Sequence, residues 1–217
     1  MAENLYYTTV TPLLKQVLND LMGAELFAPF RLVGGTSLSL QLGHRESVDI
    51  DLFTDADYGS LDFDAIEKYL RDHYTYVDTN KYNGPVGMGK SFFVGNSEED
   101  SVKVDVFYTT EPFMQPIKEV DGIRLATVEE IIAMKLDVVQ RGGRKKDFWD
   151  LHELIEKYTI EDMISLHESR YPYTHDAALI RKNFSVFENA DTDFDPVCMR
   201  GKQWGIIKLD LLEFAGL

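Results

Sequence analysis

Leu13, Leu14, Val17, Leu18 and Leu21 recur with a 3.6-residue period and predict a first helix over about 8–22, stopped by Gly23. Phe30 to Val33 reads as a strand closed by Gly34-Gly35, and Thr36 can cap a short helix to about Leu42. Val48-Asp-Ile-Asp-Leu-Phe53 alternates strictly and predicts a strand. Phe63, Ile66 and Leu70 share one stripe of a helix over 62–73. Residues 91–94 and 102–108 read as antiparallel strands across Gly95-Asn-Ser-Glu-Glu-Asp100, and residues 116–126 as a hairpin centred on Asp121-Gly122. From Thr127 the period becomes helical. Thr127 and Glu130 have capping-box spacing for a helix to Gln140, and Gly142-Gly143 interrupts. Further helical segments follow near 144–157, 160–169, 176–183 and 204–214. The pattern is that of an α/β fold: an α/β core over 1–125, then a helical domain over 126–217.

Composition narrows the class. The 217 residues are 44% apolar and 27% charged, as in an ordinary globular protein. Cys198 is the only cysteine, which excludes an internal disulfide and fits a reducing compartment. The start, Met1-Ala-Glu-Asn-Leu-Tyr-Tyr, lacks the basic and apolar regions of a signal peptide, and no apolar run is long enough to span a membrane. A cytoplasmic location is expected. The net charge of -15 argues against a general nucleic-acid coat.

The candidate chemistry lies in the carboxylates. Asp49 and Asp51 are two apart on a strand and share one face, with Cα atoms about 6–7 Å apart. Such a pair repels itself, and a hard cation, Mg²⁺ or Mn²⁺, would relieve that while also holding substrate phosphates. Asp105, in Lys103-Val-Asp-Val-Phe107, becomes a third metal carboxylate if its strand neighbours 48–53. Gly34-Gly35-Thr36 joins a strand to a helix, a place where backbone N–H groups can approach phosphate. Arg45 could bind phosphate or tie its loop to the carboxylates. Lys135 falls on an apolar helical stripe, where lysine is rare, and could reach phosphate in a cleft. Asp147 and Asp150, at i and i+3 with Leu151 and Leu154, should face inward. Arg141, Arg144, Lys145 and Lys146 form a basic patch suited to a triphosphate or a nucleic-acid end. His73, His152, His167 and His175 lack zinc-ligand spacing.

The run Gly34-Gly-Thr-Ser-Leu-Ser-Leu-Gln-Leu-Gly-His-Arg-Glu-Ser-Val-Asp-Ile-Asp-Leu-Phe53 resembles the opening motif of the AbiEii/AbiGii-type toxin nucleotidyltransferases, of the DNA polymerase β-like superfamily. Ala133-Met-Lys-Leu136 and Arg144-Lys-Lys-Asp-Phe-Trp-Asp-Leu151 continue the match, the latter resembling the family's RxKDxxDL signature. The resemblance implies a nucleotidyltransferase-type mixed sheet with flanking helices, followed by a helical bundle. It implies that Gly35 and Thr36 hold nucleotide phosphates, Asp49 and Asp51 bind the metal, Lys135 contacts the triphosphate, Asp147 sits beside it and Asp150 supports its helix. It also implies an AbiEi-type antitoxin, and RNA or protein as acceptor.

The resulting expectation is transfer of a nucleoside monophosphate from a nucleoside triphosphate to a hydroxyl, with Asp49, Asp51, Asp105, Lys135 and Asp147 catalytic. Gly34, Gly35, Thr36, Arg45, Lys135, Arg144 and Lys146 are expected to bind nucleotide. A small-molecule nucleotidyltransferase of the antibiotic-modifying kind and a catalytically silent binding module are the alternatives.

Overall fold

The computed structural model describes residues 4–79 and 87–217. Thr11 caps α1 (Pro12–Gly23) by accepting from Leu14 N, and Pro12 at the first position carries a preset φ. The helix therefore starts later than its apolar period suggested, after a separate turn at Tyr7–Thr9. β1 (Arg31–Leu32) leads directly into α2 (Gly34–Leu42). β2 (Asp49–Thr54), α3 (Phe63–His73), β3 (Tyr76–Thr79), β4 (Gly89–Gly95) and β5 (Ser101–Tyr108) follow. β3 carries no period-2 signal, and the sequence reading missed it. β6 (Lys118–Val120) and β7 (Ile123–Leu125) form the expected hairpin, in which Asp121 and Gly122 both take positive φ as a tight two-residue turn requires.

The remaining elements are helical: α4 (Val128–Gln140), α5 (Lys145–His152), α6 (Ile160–Arg170), α7 (Ala177–Asn183), α8 (Glu188–Asp191) and α9 (Trp204–Ala215). α5 stops five residues short of its expected end. There Glu153 turns to pair with Arg200 and Lys202. α8 was not foreseen. No helix among the described residues is long and apolar enough to cross a membrane.

The strands form one mixed sheet, ordered β3-β4-β5-β2-β1-β7-β6. β2 runs parallel to β5, and β1 to β7; the other pairs are antiparallel. In β2 and β5 every second residue is buried, so Ile50, Leu52, Val104 and Val106 lie in one core with α1 and α3. A second core joins Val33 and Leu38 to α4, α5, α6, α7 and α9. α2 reaches both, with Leu40 in the first and Leu38 in the second.

Thr127 caps α4 as expected, but Glu130 does not close the box. Its carboxylate instead accepts from Met114 N and Gln115 N and pairs with Arg170, and both side chains are fully buried. Arg170 also donates to Pro112 O and Thr109 Oγ1. The pair thus fastens the 109–115 connection to α4 and α6. Glu130→Ala would strand a buried guanidinium and is expected to cost about 3–5 kcal/mol in urea unfolding. A loss under about 1 kcal/mol would show that the pair does not hold this connection.

Candidate active site

The site grows from the alternation of β2 and β5. Asp49, Asp51 and Phe53 share one face of β2, and Lys103, Asp105 and Phe107 the matching face of β5. The parallel register sets Asp51 opposite Asp105 and Asp49 opposite Lys103. A cavity of about 460 Å³ opens over this face. Asp49, Asp51, Asp105, Gly34, Gly35, Arg45, Lys135, Arg144, Lys146 and Asp147 all line it. Residues separated by up to 113 positions therefore meet in one hollow, as the sequence reading required of them.

Two glycines make the approach close. Gly34 opens α2 at φ +67°, and a Cβ there would lie 2.5 Å from Asp51 Oδ2. A Cβ on Gly35 would lie 2.4 Å from Arg45 Nη2. A side chain at either place would have to displace the Asp51 carboxylate or the Arg45 guanidinium, and at Gly34 it would also have to take a left-handed φ.

Thr36 departs from expectation. It is neither the cap of α2, which starts two residues earlier, nor part of the cavity wall. Fully buried, its hydroxyl donates to Asp49 O and meets Ser47 Oγ at 2.7 Å. It fixes the start of β2 from behind, and Ser47 stands in the cavity in its place.

Of the two roles expected of Arg45, binding phosphate or tying its loop to carboxylates, the structure shows it on a carboxylate, that of Asp150, at the cavity wall. Its guanidinium is buried, with Nε 2.6 Å from Asp150 Oδ1 and Nη2 2.8 Å from Oδ2. His44 Nε2 lies 2.7 Å from the same carboxylate, and Lys135 Nζ 2.5 Å from it. Lys135 also donates to Asp147 Oδ1 at 3.0 Å, and Arg144 Nε to Asp147 Oδ2 at 2.7 Å. Burial works against the charge on Lys135, but Asp150 and Asp147 outweigh it and raise its pKa. In turn Lys135 and Arg45 hold Asp150 well below the usual carboxylate range despite complete burial. Two of the three N–H donors of Lys135 are thus committed, leaving one for the cavity.

The expected basic patch divides. Arg144 and Lys146 face the cavity, with Lys146 Nζ 3.8 Å from Asp49. Arg141 pairs with Asp137 on the cavity rim. Lys145 turns away, buried, onto Asp193 and Asp195.

The carboxylates carry excess negative charge. Burial, then Asp105, then Asp49 push Asp51 up to about 6, against the pull of Lys146 and Lys103. A hard cation with phosphate oxygens would relieve this, and Asp49 and Asp51 suit it. The three-carboxylate set expected with Asp105 is not assembled. Among the described residues no group of three or more His, Cys, Asp or Glu is arranged to hold a metal ion. Asp105 gives one oxygen to Lys103, while its Oδ1 is buried without a hydrogen-bond partner. Ser47, Phe53, Phe107, Met134, Asp137 and Tyr171 also line the cavity. The sequence signal for Phe53 and Phe107 was available: each follows its aspartate by two in a strand.

Known proteins resemble this chain over most of its length. The model of the family described as "Nucleotidyl transferase AbiEii toxin, Type IV TA system" matches residues 16–215. An uncharacterized protein of Aquifex aeolicus (strain VF5) is 28% identical over 186 residues, 81% of this chain and 82% of that one. A structure from H. pylori assigned as a nucleotidyltransferase superposes with a TM-score of 0.59 at 18% identity, covering 93% of this chain and 91% of its own. MenT4, a nucleotidyltransferase toxin of Mycobacterium tuberculosis H37Rv, superposes with a TM-score of 0.58 at 16% identity, covering 94% and 83%. The two structures establish a shared fold, and the family match establishes more. With its mixed sheet, its paired aspartates beside a glycine turn and a family match spanning nearly the whole sequence, the chain belongs to the AbiEii family of nucleotidyltransferase toxins.

Proposed function

We propose that this protein transfers a nucleoside monophosphate from a nucleoside triphosphate to a hydroxyl on RNA or protein, as the toxin of a pair with an AbiEi-like antitoxin. The observation that carries the reading is a single cavity shared by the Asp49–Asp51 pair, the N-terminus of α2, and Lys135, Arg144 and Lys146. Asp49 and Asp51 would hold Mg²⁺ or Mn²⁺, which when bound neutralises charge on the phosphates. The N–H groups of Gly34 and Gly35, with Arg144 and Lys146, would bind the triphosphate. Lys135 would add its remaining donor, while Asp147 and Asp150 hold it in place.

The acceptor oxygen attacks the α-phosphorus and forms the new P–O bond. The bond to the bridging oxygen breaks, and pyrophosphate leaves with the electron pair. The hydroxyl proton passes to the carboxylate of Asp105, which lines the cavity beside Asp51.

Incubation with each labelled triphosphate and a total extract of RNA and protein is expected to label one acceptor class. Asp51→Asn is expected to abolish that labelling, and full activity in the variant would overturn the mechanism.

A second test concerns stability. Asp51 titrates near 6 in the fold, against 3.8 for the free group. A carboxyl raised on folding contributes stability that is complete below the lower value and lost as pH climbs through the higher one. With metal chelated, the wild type is expected to lose at most about 3 kcal/mol from this group as pH rises from about 4 to about 6.5, and Asp51→Asn to be spared that loss. Urea unfolding at both pH values reads the difference. Parallel profiles for the two proteins would contradict charge repulsion at the site.

A further inference from the structure

The cavity has two unlike ends. At 100° per residue, Lys135 and Asp137 stand about 160° apart around α4, with Ile131, Val138 and Met134 between them. All five line the cavity. Lys135 turns to Asp147 and Asp150 of α5, whereas Asp137 lies against α6, its Oδ1 3.8 Å from His167 Nε2. The strands point the same way. Past Asp51 and Asp105 they reach Phe53 and Phe107, whose rings pair at 5.9 Å, and then Thr109. Arg170, next to Tyr171, donates to Thr109 and so places the end of α6 there too. Phe53, Phe107, Met134, Val138, Tyr171 and Asp137 thus gather at the end away from Lys135, Arg144 and Lys146.

We propose that this end holds the nucleobase of the triphosphate, and that Asp137 selects bases carrying an exocyclic amino group. The inference rests on the nucleotidyltransferase reading above. A carboxylate there repels phosphate, while aromatic and methionine side chains suit a planar ring. Asp137 Oδ2 is taken by Arg141 at 2.6 Å. Its Oδ1 faces His167 Nε2 at 3.8 Å, a loose contact that leaves the oxygen a lone pair for a closer donor. Burial pushes the Asp137 carboxyl up, but His167 and Arg141 outweigh it and hold the group below the usual range, hence ionised. An ionised carboxylate only accepts. The amino group of cytosine or adenine donates to it. The carbonyl at the same position of uracil or hypoxanthine would set oxygen against oxygen.

Equilibrium titration of the wild-type protein with Mg²⁺ and paired nucleotides reads this directly. CTP is expected to bind roughly tenfold or more tightly than UTP, and ATP than inosine triphosphate, the usual worth of a hydrogen bond to a charged group. Asp137→Asn, whose amide can both donate and accept, is expected to bring both ratios towards one. Equal affinities within each pair in the wild type, or unchanged ratios in Asp137→Asn, would overturn the assignment and leave the transferase reading standing. Failure of these four triphosphates and of GTP to bind would overturn both.

Discussion

The site depends on one buried carboxylate. Asp150 is fully enclosed and accepts from His44, from both arms of the Arg45 fork and from Lys135. These partners come from the connection before β2 and from α4, and Asp150 itself lies on α5, so a single carboxylate ties the sheet side of the cavity to its helical side. An unpaired charge at that depth would be untenable, and the surrounding cations make it stable as an ion. Specificity of arrangement follows. Arg45 cannot move without uncovering Asp150, and its Nη2 fills the space that Gly35 leaves open.

Around this satisfied network lies an unsatisfied one. Asp51 is pushed up by burial and by two neighbouring carboxylates, and Asp105 keeps an oxygen without a partner. A protein selected for stability alone would pair or remove such groups. Their presence next to Gly34 and beneath Arg144 and Lys146 supports the proposal that a cation and phosphates bind here. The same contrast explains why two lysines of one signature differ so sharply. Lys146 stays half-exposed over Asp49, whereas Lys145 is buried under Asp193 and Asp195.

α2 shows how fold and site are built together. It packs Leu40 into the core under the sheet and Leu38 into the core of the helices, so its N-terminus is fixed from both sides. The backbone donors at Gly34 and Gly35 are thereby held beside the carboxylates instead of on a mobile loop.

Much of this was legible in the chain itself. Period-2 alternation alone put Asp49 with Asp51 on one face of a strand, and Ile50 with Leu52 on the other, because successive side chains in a strand must oppose. Period 3.6 set Lys135 among apolar neighbours, and the ordered motifs identified the family. Partner choice was not legible, because it depends on residues far apart in sequence. Nothing local shows that Arg45 is consumed by Asp150, that Glu130 leaves its cap for Arg170, or that Thr36 faces backwards. Backbone periodicity decides the face a side chain takes; only the packing of sheet against helices decides what it meets there.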